Sequence, residues 1–165
     1  MADIAVFSRN RCTGVEQITD QTMRASCHLQ DTLMDAFVEI IVKIPDLEIT
    51  DAKVKINRFF RKEEFDTAER LQKVIGIRVG PGMKKIIRGL MGESEIGEEL
   101  ALMVEECCNG VILSFTKDVL IKAPKDILKE RDFFENMVKE NSRLYNSCAA
   151  LAPGSPLVEG IEPPN

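Results

Sequence analysis

Apolar and polar residues alternate with a period of two through the first third of the chain. Met23, Ala25, Cys27 and Leu29 fall on one side of a strand, and Arg24, Ser26, His28 and Gln30 on the other. Asp31 to Asp35 reads as a turn. From Phe37 to Ile44 the pattern repeats, with Val38, Ile40, Val42 and Ile44 inward and Glu39 and Lys43 outward. Pro45-Asp46 ends this strand, because proline has no N–H to give to a ladder. Ala52, Val54 and Ile56 then alternate with Lys53, Lys55 and Asn57. Ile4 to Phe7 is expected to be a short edge strand, and the polar stretch Asn10 to Gln21, which contains Gly14, a loop. The product is an antiparallel meander of three to four strands, with one apolar face that other elements must cover.

Beyond residue 65 the period changes to that of helices. Asp66 is a good N-cap, and Ala68, Leu71, Val74 and Ile75 form a stripe closed by Gly76. Gly80-Pro81-Gly82 turns the chain into a short helix with Met83, Ile86, Ile87 and Leu90 on one side. Ser94 can cap a long helix in which Ile96, Leu100, Met103, Val104, Cys107, Val111 and Phe115 recur at spacings of three and four. Few polar residues interrupt it after Leu100, so it is expected to lie on the sheet. Pro124 suits a first helical position. A last helix is expected over 124–150, with Ile127, Phe134, Val138, Tyr145 and Cys148 near one side. The final stretch, PGSPLVEGIEPPN, holds four prolines and two glycines and is expected to be a disordered tail over 151–165, docking through Leu157 and Val158. The fold class is α+β: one domain over 1–150, a meander packed by several C-terminal helices.

Composition narrows the function classes. The 165 residues carry a net charge of −5, with 8 Phe, 1 Tyr and no Trp. This combination speaks against nucleic acid, which needs cationic surface and favours stacking aromatics. No stretch reaches the roughly 18 to 20 apolar residues of a membrane span, and the N-terminus lacks a signal-peptide layout. The expectation is a cytoplasmic protein whose five cysteines are reduced.

The thiols and the single histidine suggest no catalytic or metal centre. Cys107 and Cys108 point about 100° apart on a helix, and Cys107 belongs to the apolar stripe. Cys27 and His28 point to opposite faces of a strand. With one histidine, no CxxC pair and no phosphate-binding glycine loop of the P-loop type, neither catalytic residues, metal ligands nor a cofactor are assigned.

Charge is laid out unevenly. Lys53 to Arg88 holds 11 basic residues against 4 acids; Glu93 to Glu106 follows with six glutamates and no base. One reading is solvation, with Glu95, Glu98 and Glu99 favouring the positive end of the long helix. The other is an anion site in which Arg78, Lys84, Lys85 and Arg88 surround the backbone N–H groups after Gly80 and Gly82. Its partner would be an anionic small molecule or an acidic protein surface.

Several residues resemble the uncharacterised DUF2889 family over about residues 24–115: Asp31-Thr32, the Ile49-Thr50-Asp51-Ala52 run, Ile75-Gly76-Ile77-Arg78-Val79-Gly80 with Gly82 and Lys85-Ile86-Ile87, and Gly92. That family's pattern places a Cys after the third strand and a Gly-Cys-Thr-His-Leu run at the start of the long helix. This chain has Lys62-Glu63-Glu64-Phe65-Asp66 and Glu93-Ser94-Glu95-Ile96-Gly97-Glu98-Glu99-Leu100 there. The element order also looks like that of IscU-type iron–sulfur scaffolds, whose ligating cysteines have no counterparts here. The functional expectations are therefore a non-enzymatic cytoplasmic binding or accessory protein, an enzyme or carrier of an anionic ligand at the Gly80-Pro81-Gly82 turn, or a metal or iron–sulfur accessory factor. A homodimer through helix 124–150 is also expected.

Overall fold

Four strands follow one another as an antiparallel meander in the computed structural model of the protein, in the order β1 (Arg9–Thr19), β2 (Thr22–Asp31), β3 (Met34–Lys43) and β4 (Glu48–Phe59). The structure describes residues 6–60, 66–140, 142–146 and 149–162, the side chains of residues 118, 120, 127, 128 and 143 excepted. Met23, Ala25, Cys27 and Leu29 of β2 are buried, as are Val38, Ile40 and Val42 of β3 and Ala52 of β4, so the alternation seen in the sequence marks the inner face. Asp31 builds the β2–β3 turn by accepting hydrogen bonds from the N–H groups of Leu33 and Met34, both at 2.7 Å.

β1 corrects the reading of residues 10–21 as a loop. Arg11, Thr13 and Val15 face inward but are small or polar, so no apolar alternation announces the strand. The short strand expected over residues 4–7 is also corrected: Val6 and Phe7 are not in a strand, and Ile4 lies outside the described residues.

The helices are α1 (Thr67–Gln72), α2 (Met83–Met91), α3 (Glu95–Lys122) and α4 (Ile127–Glu140). Asp66 caps α1 by accepting from the Glu69 N–H. Ser94 caps α3, with its hydroxyl accepting from the Gly97 N–H at 3.2 Å and its carbonyl from Glu98 at 2.9 Å. The first part of α3 runs beside β1. Glu99 pairs with Arg9 and Arg11, Gly110 faces Thr13 and Val15, and the Ser114 hydroxyl reaches the Met23 sulfur. Leu100, Met103, Val104, Cys107, Cys108 and Val111 complete a core shared with the inner face of the sheet.

By compactness the chain divides into Met1–Ser114 and Phe115–Asn165. In the second unit, α4 starts later and ends sooner than the expected helix over 124–150. Asp126 opens it: its carbonyl accepts from Glu130 at 2.7 Å and its carboxylate from Lys129 at 3.3 Å, so Pro124 stands ahead of the cap. Two single turns of 3-10 helix, Ser142–Leu144 and Ala149–Leu151, follow Glu140. Val158 packs into a small core with Val138 and Leu151, and Leu157 lies against it. Cys148 lies outside the described residues.

Candidate functional site

The turn into α2 is reached from β4. After α1, Gly76 adopts a positive φ of 87°, and residues 76–79 run back beside the start of β4. The Gly76 N–H donates to Ile49 O, the Ile49 N–H to Ile77 O and the Val79 N–H to Leu47 O, at 2.8 to 2.9 Å. Arg78 is thereby bridged to Glu48 along the backbone, with its side chain exposed. This anchoring carries the chain to Gly80-Pro81-Gly82 at the edge of the sheet.

Gly82 is the N-cap of α2, with φ 83°, and having no side chain it caps none of the first-turn N–H groups. A left-handed residue at this corner explains why glycine stands there. The Met83 N–H turns back to Gly80 O at 3.3 Å, and Ile86 makes the first bond of α-helical spacing, to Gly82 O. The N–H groups of Lys84 and Lys85 lie between these and have no acceptor in the preceding turn among the described residues. Both lysine side chains are exposed, and among the described residues neither forms an ion pair. Among the described residues nothing lies within 4 Å of where a Cβ would stand on Gly80 or Gly82, so none of them roofs the turn.

α2 buries a narrower stripe than its sequence suggests. Met83, Ile87 and Met91 are inside, Leu90 is half-buried, and Ile86 is 51% exposed beside the two lysines. A nine-residue helix docked along one line leaves its i+3 positions at the rim.

Arg88 points elsewhere. Its guanidinium grips Glu105 of α3 through two bonds, from Nε at 2.6 Å and from Nη2 at 3.0 Å. Glu105 is 4% exposed, so Arg88 answers a carboxylate that would otherwise be buried alone. Of the six residues singled out by sequence, the structure therefore gathers Gly80, Gly82, Lys84 and Lys85 at the open turn. Arg78 stands on the strand leading in, and Arg88 is drawn to the neighbouring helix. The partner Glu105 escaped sequence reasoning, although it falls with Ala101 and Cys108 on one side of α3, where a charge calls for a counterion. A shallow groove of about 560 Å³ beside this pair is lined by Arg88, Gly89, Gly92, Glu93, Glu98 and others. Its acids make it a poor anion site.

Elsewhere the acidic start of α3 is met by arginines from the other end of the sheet, with Glu99 3.1 Å from both Arg9 and Arg11. The core thiols are insulated: burial pushes Cys107 up, and Cys108 up to about 12. Among the described residues no group of three His, Cys, Asp or Glu side chains is placed to hold a metal ion, and no helix is long and apolar enough to cross a membrane. Compared with protein-family models, curated proteins and solved structures, the chain matches none.

Proposed function

We propose that this protein is a non-enzymatic, cytoplasmic binding or accessory protein that engages an acidic protein surface at the turn into α2. The observation that carries this reading is the openness of the turn. Two exposed lysines and two backbone N–H groups without an acceptor among the described residues share one helix end, and no described residue closes over its glycines. Sites for small ligands are concave and bury about 70–90% of what they hold. An unroofed turn buries too little of a small anion to hold it alone, whereas a protein segment brings its own second wall. Ile86, exposed beside Lys85, adds an apolar contact that a small anion has no use for.

The test is a melting experiment at low ionic strength with poly-L-glutamate and with inorganic phosphate at equal total charge. The polymer is expected to raise the melting temperature of the wild type more than phosphate does. The rise should fade in about 0.5 M salt, where screening shortens to a few ångströms. It should also be absent in a folded Lys84→Glu, Lys85→Glu variant. A shift with phosphate alone would favour a carrier of small anions, and no shift with either probe removes the site.

A further inference from the structure

The face of the sheet turned away from α3 holds a row that the strand register sets side by side: Cys12 on β1, His28 on β2, Phe37 on β3 and Lys55 on β4. His28 is the chain's single histidine. Its Nε2 lies 3.1 Å from Asp35 Oδ1, and Asn57 Nδ2 donates to the same oxygen at 3.2 Å. The His28 and Phe37 rings meet edge to face, 6.3 Å between centroids. A carboxylate can only accept, so Nε2 carries the hydrogen, and in the neutral ring Nδ1 then holds the lone pair. The ring is thus held from the side of β3, through Asp35 and Phe37, and among the described residues Nδ1 has no hydrogen-bond partner.

Cys12 stands directly opposite His28 and is exposed. Directly paired residues of antiparallel strands hold their Cβ atoms about 4.5–5.5 Å apart, which brings Sγ within reach of an imidazole nitrogen by rotation about χ1. The other neighbours of Cys12 on this face, Asn10 and Gly14 along β1 and Ser26 and Gln30 diagonally on β2, carry no charge. Around His28 and its partner Asp35 the facing groups are Cys12 from β1, Phe37 and Glu39 from β3, and Lys55, Asn57 and Arg58 from β4, Arg58 standing opposite Asp35. The remaining described thiols are out of play: Cys27 points to the opposite face, and Cys107 and Cys108 lie in the core. No second described thiol shares the face to close a protein disulfide.

We infer that Cys12 is a site of reversible modification by low-molecular-weight disulfides, with His28 accepting the thiol proton and Asp35 positioning the ring. In the step, the Cys12 proton passes to His28 Nδ1 and the sulfur attacks one sulfur of a disulfide RS–SR. The S–S bond of the reagent breaks as the Cys12–SR bond forms. The departing RS⁻ takes the proton from His28 and leaves as RSH. Cys12 is oxidised to a mixed disulfide while half of the reagent is reduced to thiol, so no further oxidant is required. With no resolving thiol on this face, the adduct persists until an external thiol reverses it. This inference is independent of the site at the turn into α2.

The full-length protein is treated with 5,5′-dithiobis(2-nitrobenzoate) at pH 8.0 and pH 6.5, and the labelled cysteine is assigned by peptide mass mapping. Cys12 is expected to react fastest, with a rate that drops less than about threefold between the two pH values. The Cys12 rate in His28→Gln should fall about twentyfold over that span, as an unassisted thiol does, and Asp35→Asn should fall in between. Oxidised glutathione should give one adduct, at Cys12, that dithiothreitol removes. If the wild-type rate follows the steep course of the free peptide Arg-Cys-Thr, or if the fast label maps to another cysteine, the assignment is wrong. The comparison with that peptide stands even if glutamine at 28 unfolds the sheet.

Discussion

Asp31 shows how one buried carboxylate earns its place. It is 5% exposed and accepts three bonds: from the N–H groups of Leu33 and Met34 and from Arg9 Nε. Burial alone would raise its pKa, but the donors, led by the Met34 N–H and the Arg9 side chain, outweigh burial and hold the group below the usual carboxylate range. A depressed folded-state value means that the stabilisation is complete above the unfolded pKa of about 4 and is lost as the pH falls through the folded value. Asp31→Asn keeps the shape and loses the charge. It should cost roughly 1–2 kcal/mol at pH 7, and the gap from wild type should narrow at pH 3. Urea unfolding at the two pH values measures both. The Arg88–Glu105 pair makes a complementary case. Arg88→Met strands a buried carboxylate and should lower the urea midpoint further than the double change Arg88→Met, Glu105→Met does. A single variant as stable as the double would mean that Glu105 finds water without Arg88.

At the scale of elements, the close approach of α3 to β1 turns on Gly110. A Cβ there would stand 3.0 Å from Val15 Cγ2 and 3.2 Å from Thr13 Cγ2. Both neighbours are β-branched and stiff about χ1. Gly110→Ala gains roughly 1 kcal/mol of helix propensity and loses a similar amount to crowding, so thermal unfolding should change little. Gly110→Leu has no such balance and should destabilise by about 1–3 kcal/mol. The same contact explains which elements were legible. β2, β3 and α3 were, because large apolar residues recur at the right period and the structure buries them. β1 was not: of its inward positions Arg11 is charged and pairs with Glu99, while Thr13 and Val15 are small enough to let a helix backbone come near, and such residues imitate a loop. At α4, a proline suited to a first turn stood two residues ahead of an aspartate that makes the cap. At the α2 turn, the glycines and proline announced the corner correctly. That Arg88 would turn to Glu105 was hidden, since 17 residues and a change of helix separate them.

For the molecule as a whole, the order of the meander sets the order of assembly. Each strand pairs with the one made just before it, whereas α3 reaches back to Arg11 over 88 residues. Hairpins close early and the covering helix docks late, as loop-closure entropy favours. On the ribosome this becomes an interval of exposure. β4 ends at Phe59, and Ser114, which reaches Met23, emerges 55 residues later (114 − 59). At roughly 5–20 residues per second, the sheet waits about 3 to 11 seconds with Leu29, Val38, Ile40 and Val42 uncovered. A chain ended after Gly92 should therefore be aggregation-prone and captured by holdase chaperones, while a chain ended after Lys122 should not. Sedimentation of the two products from cell-free synthesis reads the difference. The long helix is thus a lid fitted from behind, and the newborn protein depends on how quickly translation delivers it.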